Sequence, residues 1–479
     1  MWSRTVENNL EEGKPPENTT DQERQQQNFR FSPSTNHRST ISGEECCSLA
    51  SSSSSSSFSV SSKTEDIEDS SDYPNGGLLA WSQVLVAILV NMLAWGYPAT
   101  FGVYQLHYVD TLRLPSSQVS WIGSAQTFLA FATCTLSGRL ADAGHIKWTM
   151  TAGCGMVVLG TFMTSLCGGG EPGENDKYWQ IFLAQGICTG FGLGICFMPP
   201  LSVVNSYFSK EKRSFALAVS ATGTGLGSIV FPTIIQHLTP KIGFAWAVRC
   251  QAFVALMISV IAVALVRPRL QPRRSGPLVE WKAFKEVPYR MFVVGAFLFF
   301  YAIFFGFFYI NVYARNIVHF PTTSSVHLLI ITNGVSVLGR PLAGYIADRH
   351  IGAINTFCIG ACILSVVLFS WMGVHTRAGM YVFSAFLGLS TGTAQGIYNG
   401  AMSNLNKDPR TFGTRFGMVN TIVAFAALAG PPTAGAIIDH DGGRHKWAQV
   451  WAGTVVLHAS MIFMAVRISI SGWKLKMKV

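Results

Sequence analysis

Charged residues are scarce in this chain of 479 residues, of which only 13% are Asp, Glu, Lys or Arg. Soluble globular proteins average about 25%. Phenylalanine is abundant, with 33 residues, and the mean hydropathy is +0.32. This composition excludes a simple soluble enzyme, and the apolar excess predicts an integral membrane protein.

Motifs for catalysis and metal binding are also missing from the sequence. No Gly-x-x-x-x-Gly-Lys-Ser/Thr phosphate loop occurs, so nothing predicts ATP-driven chemistry within the chain. The ten cysteines lack zinc-finger spacing, and eight of them lie in or beside apolar segments, where reduced thiols act as small hydrophobes. The sequence therefore predicts no enzyme activity, no cofactor and no metal site.

The beginning of the chain is polar and acidic. Residues 1–80 carry 13 acids and 6 Lys or Arg, whereas residues 81–479 carry 12 acids and 29 Lys or Arg. Seven consecutive serines occupy residues 51–57. Such a segment buries too little apolar area to offset its chain entropy. We therefore predict a disordered, Ser-rich acidic cytoplasmic tail over residues 1–74, either a solvated spacer or a phosphorylated regulatory segment.

Twelve apolar segments are long enough to cross a membrane, which takes about 20 residues. They occupy residues 81–106, 118–137, 148–167, 178–202, 214–236, 244–266, 291–313, 326–347, 354–373, 379–402, 412–436 and 447–467. The short alternating strands of a transmembrane barrel do not occur. The expected fold is an all-α membrane protein with twelve transmembrane helices.

The charge of the loops predicts the orientation and the domain organisation. Loops on one side of the twelve spans carry more than twice as many Lys and Arg as loops on the other, which places both termini in the cytoplasm. The longest basic loop is a cytoplasmic linker over residues 267–290. It separates a six-helix half over 75–266 from a six-helix half over 291–470, and a basic cytoplasmic tail follows at 471–479.

Two motifs recur at an offset of 206 residues and predict pseudo-symmetric halves. The loops after the second and eighth spans read Gly138-Arg139-Leu140-Ala141-Asp142 and Gly344-Tyr345-Ile346-Ala347-Asp348-Arg349. The fourth and tenth spans each carry a ladder of glycines at every fourth position: Gly186, Gly190 and Gly194, then Gly392, Gly396 and Gly400. Small residues at this spacing let helices approach closely, and repeats of six spans are typical of secondary transporters.

The loop from Gly138 to Gly144, with Lys147 beyond it, resembles the loop 2–3 motif of the major facilitator superfamily. The stretches Gly76–Trp81 and Tyr207–Gly227 resemble signatures of its monocarboxylate porter-like branch, especially the fungal members. The resemblance covers roughly residues 75–470. It implies the major facilitator fold and secondary transport of a small solute.

The resemblance also implies a gate on the cytoplasmic side. In the family, acidic and basic residues of this loop clamp the inward face of one conformer through salt bridges and a helix N-terminus. Carried over to this chain, the gating motif comprises Gly138, Arg139, Asp142, Gly144 and Lys147 in the first half and Asp348 and Arg349 in the second.

Arg340 is the leading candidate for substrate binding. It lies eight residues before Asp348, a rise of about 12 Å, which places its charge near the middle of the membrane. Asn333 and Ser336 lie on the same helical face. A guanidinium there would bind an anionic group of a substrate; the alternative is a structural arginine paired with neighbouring helices. Arg249, which lies near the outer surface, is expected to be structural.

Six neutral polar residues within the spans are further candidates, because each could line a pathway or bond a neighbouring helix. They are Asn91, Gln126, Asn311, Gln395, Asn399 and Asn420.

Two groups of the animal proton-coupled monocarboxylate carriers are missing from this chain. Those carriers usually have an acid four residues before the span 8 arginine, where this chain has Ser336, and a lysine after a span 1 proline, where Ala99 follows Pro98. The remaining candidates for proton coupling are His107, Asp110 and His458. The two missing groups therefore favour facilitated diffusion, or export of a larger metabolite, over proton-coupled uptake.

Together these features predict a secondary transporter that moves a small organic solute, expected to bear a carboxylate, by alternating access. The alternatives are an efflux transporter for a secondary metabolite and a non-transporting nutrient sensor that signals through its tail. The expected partners are the solute, the lipid bilayer and, if transport is proton-coupled, a proton, without nucleic acid. A monomer is compatible with the sequence, which does not determine the oligomeric state. The protein is expected in the plasma membrane, and an internal membrane is the alternative.

Overall fold

The structure is a computed structural model that describes residues 73–167, 178–269, 273, 276–320, 322–406 and 408–472. The predicted tail over residues 1–74 lies outside the described residues except for Tyr73 and Pro74. The predicted C-terminal tail over 471–479 likewise lies outside them except for Ser471 and Gly472.

The first half of the described chain is helical almost throughout. Its helices are α1 (Gly77–Asp110), α2 (Ser116–Ala132), α3 (Cys134–Asp142), α4 (Ile146–Cys167), α5 (Tyr178–Ile181), α6 (Gly190–Tyr207), α7 (Lys210–Ile242) and α8 (Phe244–Leu265). A break at Thr133 separates α2 from α3, which together cover the second predicted span. A π-helical turn, Phe182–Thr189, joins α5 to α6 across the fourth.

The second half begins with a short 3₁₀ helix, Trp281–Lys285, in the linker. The helices that follow are α9 (Val287–Asn316), α10 (Thr322–Ile346), α11 (Ala353–Ser370), α12 (Arg377–Leu405), α13 (Phe412–His440) and α14 (Lys446–Ser471). A π-helical turn, Ala347–Ile351, continues α10.

Each of the twelve predicted spans falls on helical structure, and the all-α fold is confirmed. Within the described ranges, nine helical segments are long and apolar enough to cross a membrane. The second, eighth and tenth predicted spans are not among them, since α2 is short and the other two are rich in Gly, Ser, Thr and Asn. The number of twelve crossings therefore stays a prediction.

Exposed tryptophans form two belts around the bundle. One belt lies near the first turns of α2, α5, α8 and α14 and comprises Trp121, Trp179, Trp246 and Trp447. The other lies near the beginning of α1, of α4 and in the linker and comprises Trp81, Trp148 and Trp281. Because consecutive spans alternate in direction, the belts lie at opposite ends of the bundle. Tryptophan is enriched at both membrane–water interfaces, so the belts mark the two membrane surfaces.

Helices α1–α8 pack together, as do α9–α14, and the two groups meet along a central interface. The first group presents α2, α3 and α7 to this interface. Helix α7 contacts α10 and α12, while α2 and α3 contact α13. The functional site lies between these helices.

Glycine ladders bring helices into close contact within each half. A Cβ atom on Gly190 of α6 would lie 2.8 Å from the Cα atom of Gln126 in α2. A Cβ atom on Gly388 of α12 would lie 2.9 Å from the Cα atom of Thr332 in α10. Any side chain at either position would push the two helices apart, as the small-residue rule for membrane helices requires.

This packing corrects the predicted register of the repeat. Gln126 and Thr332 are equivalent at the expected offset of 206 residues, but their partners Gly190 and Gly388 differ by 198. Helix α4 is longer than α11, and the connection from α4 to α5 is longer than that from α11 to α12, and the two differences together account for the shift. The prediction that both glycine ladders match at 206 is therefore wrong in structural terms.

Two glycines of α4 provide a matched test of close helix packing. A Cβ on Gly153 would lie 2.6 Å from the backbone nitrogen of Cys196, whereas a Cβ on Gly155 would meet no atom within 4 Å. We predict that Gly153→Val destabilises the purified protein by about 1–3 kcal/mol through overpacking. Thermal unfolding in detergent measures it, and Gly155→Val is the control. Equal melting temperatures for the two variants would contradict the packing described.

Candidate functional site

A small cavity of about 30 Å³ lies between the two halves. The first half contributes α1, α2, α6 and α7 to its lining, and the second half contributes α9, α10, α12 and α13. Its lining residues are Asn91, Trp95, Phe131, Phe197, Ala221, Thr224, Phe300, Arg340, Gln395, Tyr398, Asn399 and Asn420. One cation, four amides and five aromatic rings therefore surround this small cavity.

Arg340 carries the positive charge of this cavity and is only 2% exposed. Its Nη1 donates to the Ser336 hydroxyl at 2.6 Å, and its Nη2 donates to Oε1 of Gln395 at 3.1 Å. Its Nε is buried without a hydrogen-bond partner within the described residues. Arg340 takes part in none of the ion pairs among the described residues, so those residues supply no paired carboxylate to balance its charge.

The other two predicted binding residues support Arg340 from its own helix. Ser336 accepts from Arg340 and donates to the carbonyl oxygen of Asn333 at 2.7 Å. The side chain of Asn333 donates to the carbonyl oxygen of Leu329 at 3.0 Å. Neither residue is among those that line the cavity, so the structure places them behind the arginine.

Four of the six neutral polar candidates line the cavity: Asn91, Gln395, Asn399 and Asn420. Gln126 is fully buried against α6 instead, and Asn311 lies in α9 outside the cavity lining. None of the proton-coupling candidates His107, Asp110 and His458 is among the lining residues.

We use the name linker face for the end of the bundle that carries the linker and the loops after α3 and α10. Asp142, at the end of α3, is 9% exposed and binds the first turn of α13 in the other half. Its carboxylate accepts from the backbone nitrogens of Gly413 (3.0 Å) and Thr414 (2.7 Å) and from the Thr414 hydroxyl (2.6 Å). An anion at a helix N-terminus is stabilised by the unpaired N–H groups there.

Asp348 makes the reciprocal contact. It lies in the π-helical turn after α10 and accepts from the backbone nitrogen of Phe215, in the first turns of α7, at 2.7 Å. Each half therefore extends one aspartate to a helix beginning in the other half. The two contacts close the linker face on both sides of the interface.

Glycines make this closure tight. A Cβ on Gly138 would collide with the carbonyl oxygen of Gly413, and a Cβ on Gly344 would lie 2.8 Å from the Cα atom of Phe215. The remaining glycine of the motif, Gly144, has a positive φ of 88° at the turn into α4, where glycine avoids steric strain.

Arg139 contacts the linker rather than a carboxylate. Its Nε and Nη2 donate to the carbonyl oxygen of Gly276 at 3.3 and 3.1 Å, and its Nη1 donates to the carbonyl oxygen of Arg273 at 3.2 Å. The backbone nitrogen of Arg273 donates to the carbonyl oxygen of Asp142 at 2.8 Å. The expected salt bridge of Arg139 is thus replaced by hydrogen bonds that attach the linker to the first half.

The linker is also attached to the second half through Arg415 of α13. The guanidinium of Arg415 lies 2.7 Å from Oε1 of Glu286 and 3.6 Å from Oε2 of Glu280. Glu280 in turn lies 3.6 Å from Nη1 of Arg273. The linker therefore runs across the closed linker face and contacts both halves.

Lys147 and Arg349, the last two residues of the predicted gating motif, have exposed side chains at the linker face. The structure brings Gly138, Asp142 and Asp348 together with the opposite half and leaves these two cations at the surface.

Sequence reasoning missed two buried cations, Arg213 and Arg467, and a partly buried one, Arg415, near this face. Arg213 is 1% exposed and donates from Nε to the carbonyl oxygen of Phe208 at 2.9 Å. Arg467 donates from Nε to Oδ1 of Asn355 at 2.8 Å. Together with Arg415, these residues lie near helix ends, where a sequence pattern does not separate a buried cation from a loop charge.

Burial of the two closing aspartates changes their proton affinity. Desolvation raises the pKa of Asp142 to about 7, against the lowering effect of its hydrogen bonds to Thr414 and Gly413. Desolvation likewise raises the pKa of Asp348 to about 6, against the hydrogen bond from Phe215. Both carboxyl groups therefore titrate near neutral pH in this closed conformer.

A family model described as Major Facilitator Superfamily matches residues 84–431. The chain belongs to the Major Facilitator Superfamily. An "MFS-type transporter" of Gibberella zeae is 37% identical over 84% of this chain and 89% of its own length. The "Aspyridones efflux protein apdF" of Emericella nidulans is 35% identical over 86% of this chain and 84% of its own length.

Solved structures of the superfamily share the fold. The human organic anion transporter MFSD10 superposes with a TM-score of 0.64 at 14% identity, over 80% of this chain and 99% of the other. The Escherichia coli fucose:proton symporter FucP superposes with a TM-score of 0.62 at 14% identity, over 80% of this chain and 98% of the other.

These findings confirm the major facilitator fold and a multi-pass integral membrane protein that acts as a secondary transporter of small solutes. A transporter family is in keeping with the predicted lack of enzyme activity. The resemblance to the monocarboxylate porter-like branch stays a prediction.

The raised pKa values predict that acid favours closure of the linker face. An exposed aspartate has a pKa of about 3.9, so the closed conformer binds the Asp142 and Asp348 protons more tightly than an open one. Lowering the pH from about 8 to about 5 then shifts the equilibrium towards the closed conformer, and raising it favours opening. Distances between spin labels on Ala152→Cys and His350→Cys measure this shift.

The control for this measurement is the double variant Asp142→Asn/Asp348→Asn, which has no titrating carboxyl at either contact. Its label distance is expected to be independent of pH over the same range. In the labelled protein that retains Asp142 and Asp348, a label distance that does not change with pH would contradict the role of these two carboxyl groups. A distance that shortens as the pH rises would contradict it as well.

Proposed function

We propose that this transporter exports a small organic metabolite that carries an acidic group on an aromatic or apolar body. Arg340 is the residue that binds the acidic group. The observation that carries the proposal is the uncompensated positive charge of Arg340 at a cavity between the two halves.

The cost of that charge is the first argument. A charged side chain near the middle of a membrane costs about 2.5–3.5 kcal/mol on insertion scales. Ser336 and Gln395 provide neutral acceptors for two guanidinium nitrogens, and Nε remains unpaired within the described residues. An anionic substrate would supply the missing negative charge and accept from the planar fork of donors.

The rest of the cavity indicates the body of the substrate. The ring of Trp95 lies 5.2 Å from that of Phe131, which lies 5.9 Å from Phe300 in the other half. The ring of Tyr398 is 5.1 Å from that of Phe300. These rings form an apolar wall that spans both halves, and such walls bind flat or apolar molecules. The amide side chains supply a few polar contacts beside it.

The direction of transport is proposed from two supports. One relative, 35% identical over 86% of this chain, is named as an efflux protein. The cavity also lacks the acid before Arg340 and the lysine after Pro98 that proton-coupled uptake carriers of the resembling branch usually have. Export therefore fits the residues present better than proton-coupled uptake of a small monocarboxylate.

Metabolite profiling of cells and medium tests the direction. In a strain that lacks this protein, an acidic metabolite is expected to accumulate in the cells, and in an overexpressing strain it is expected in the medium. Depletion of a carboxylate from the medium by the overexpressing strain would instead show uptake and overturn the proposed direction.

Substitution of Arg340 tests the binding residue. Loss of one partner of a buried charge pair costs about 2–5 kcal/mol, so Arg340→Gln is expected to reduce apparent substrate affinity by at least about 30-fold. Uptake of the identified metabolite into inside-out vesicles measures this change. Arg249→Gln is the control, because Arg249 contacts Ser165 and the Trp246 ring outside the cavity. Normal transport by a correctly folded Arg340→Gln variant would show that Arg340 does not bind the acidic group and would overturn the proposal.

A further inference from the structure

We propose that the outer side of the linker's 3₁₀ helix is a docking site for the anionic headgroups of phospholipids in the adjacent leaflet. The site consists of Trp281, Lys282 and Lys285. It is separate from the transport cavity and is independent of the identity of the solute.

The acidic side chains of this segment pair with the protein, whereas its lysine side chains are exposed. Glu280, whose side chain is 14% exposed, and Glu286, whose side chain is 40% exposed, both pair with Arg415 of α13. Lys282 and Lys285 have exposed side chains on the outer side. Because the acids are neutralised by the protein, the surface that the linker presents outwards is positive.

An exposed tryptophan accompanies these lysines. Trp281 is 72% exposed, while Ala283, two residues later, is fully buried. Leu278 and Val287, on either side of the helix, are also exposed. A basic segment with exposed apolar side chains is typical of helices that lie in the interface of a membrane.

The position of the segment in the fold places it at the membrane surface. The linker leaves α8 at Leu265 and enters α9 at Val287, and both helices are apolar enough to cross the membrane. The ring of Trp281 lies 6.0 Å from Phe284, whose ring lies 5.4 Å from Tyr289 in the first turn of α9. Trp281 is therefore at the level where α9 begins, and it belongs to the tryptophan belt of the linker face.

The occupant follows from this combination. Anionic lipid surfaces attract lysine and arginine close to the membrane by about 1 kcal/mol for each residue, and tryptophan prefers the headgroup level of the bilayer. A soluble anion would satisfy the lysines but would leave Trp281 in water. The two features together favour a phospholipid headgroup.

The docking site is connected to the closed linker face through the backbone of the linker. The carbonyl oxygens of Gly276 and Arg273 accept from Arg139, and Glu280 and Glu286 pair with Arg415. A headgroup bound to Lys282 and Lys285 holds this segment at the membrane surface and supports the contacts that it makes with both halves.

Native mass spectrometry of the purified full-length protein titrated with phosphatidylserine or phosphatidylcholine tests the proposal. We expect tighter binding of phosphatidylserine, and a Kd that rises about 30-fold in Lys282→Gln/Lys285→Gln, from about fivefold for each lysine. The control is Lys241→Gln/Lys446→Gln, which removes two exposed lysines from the opposite end of the bundle. Melting temperatures in detergent establish that both variants fold.

Two results would overturn the inference. The first is an unchanged phosphatidylserine Kd in Lys282→Gln/Lys285→Gln or an equal loss in the control variant. The second is displacement of the lipid by glycerol 3-phosphate at the same concentration, which would show a site for a soluble phosphate. Trp281→Ala is expected to weaken phosphatidylserine binding without creating such displacement.

Discussion

Two buried carboxylates determine how the halves of this transporter meet. Asp142 extends to the first turn of α13, where backbone N–H groups lack a partner within the helix, and Asp348 accepts from the backbone nitrogen of Phe215 near the beginning of α7. Glycines at the same points let the helices come close enough for these hydrogen bonds to form. Closure of the linker face therefore depends on a few short polar contacts, which can break and reform without disturbing the packing within each half.

The cavity and the closed face are parts of one arrangement. Helices α7 and α13, whose first turns receive the aspartates, also line the cavity through Thr224 and Asn420. Movement of either helix beginning would therefore be transmitted along a rigid helix to the solute. The linker crosses the same face and contacts both halves, so it must change its contacts whenever the face opens.

Much of this arrangement could be predicted from the sequence. The lengths of the apolar segments predicted the helices, and the repeated Gly-x-x-Ala-Asp loops indicated both closing aspartates. The position of Arg340 relative to Asp348 predicted a charge near the middle of the membrane, and in the structure Arg340 lines the cavity. The register of the glycine ladders could not be predicted, because an offset in sequence does not reveal that a helix and the loop after it differ in length between the two halves. The pairing of Arg415 with Glu286 and of Arg467 with Asn355 was also inaccessible, since these partners are distant in the sequence.

The central claim is that Asp142 and Asp348 close the linker face. It is tested most directly by measuring whether a reagent can reach the cavity from that face. For this test, Thr224 is replaced by cysteine in a chain that is otherwise free of cysteine. A membrane-impermeant maleimide is then added on the side of the linker face. The account predicts slow labelling in the otherwise unaltered protein and much faster labelling when Asp142→Ala and Asp348→Ala remove both contacts. Equal labelling rates in the two proteins would contradict the claim that these aspartates close the linker face.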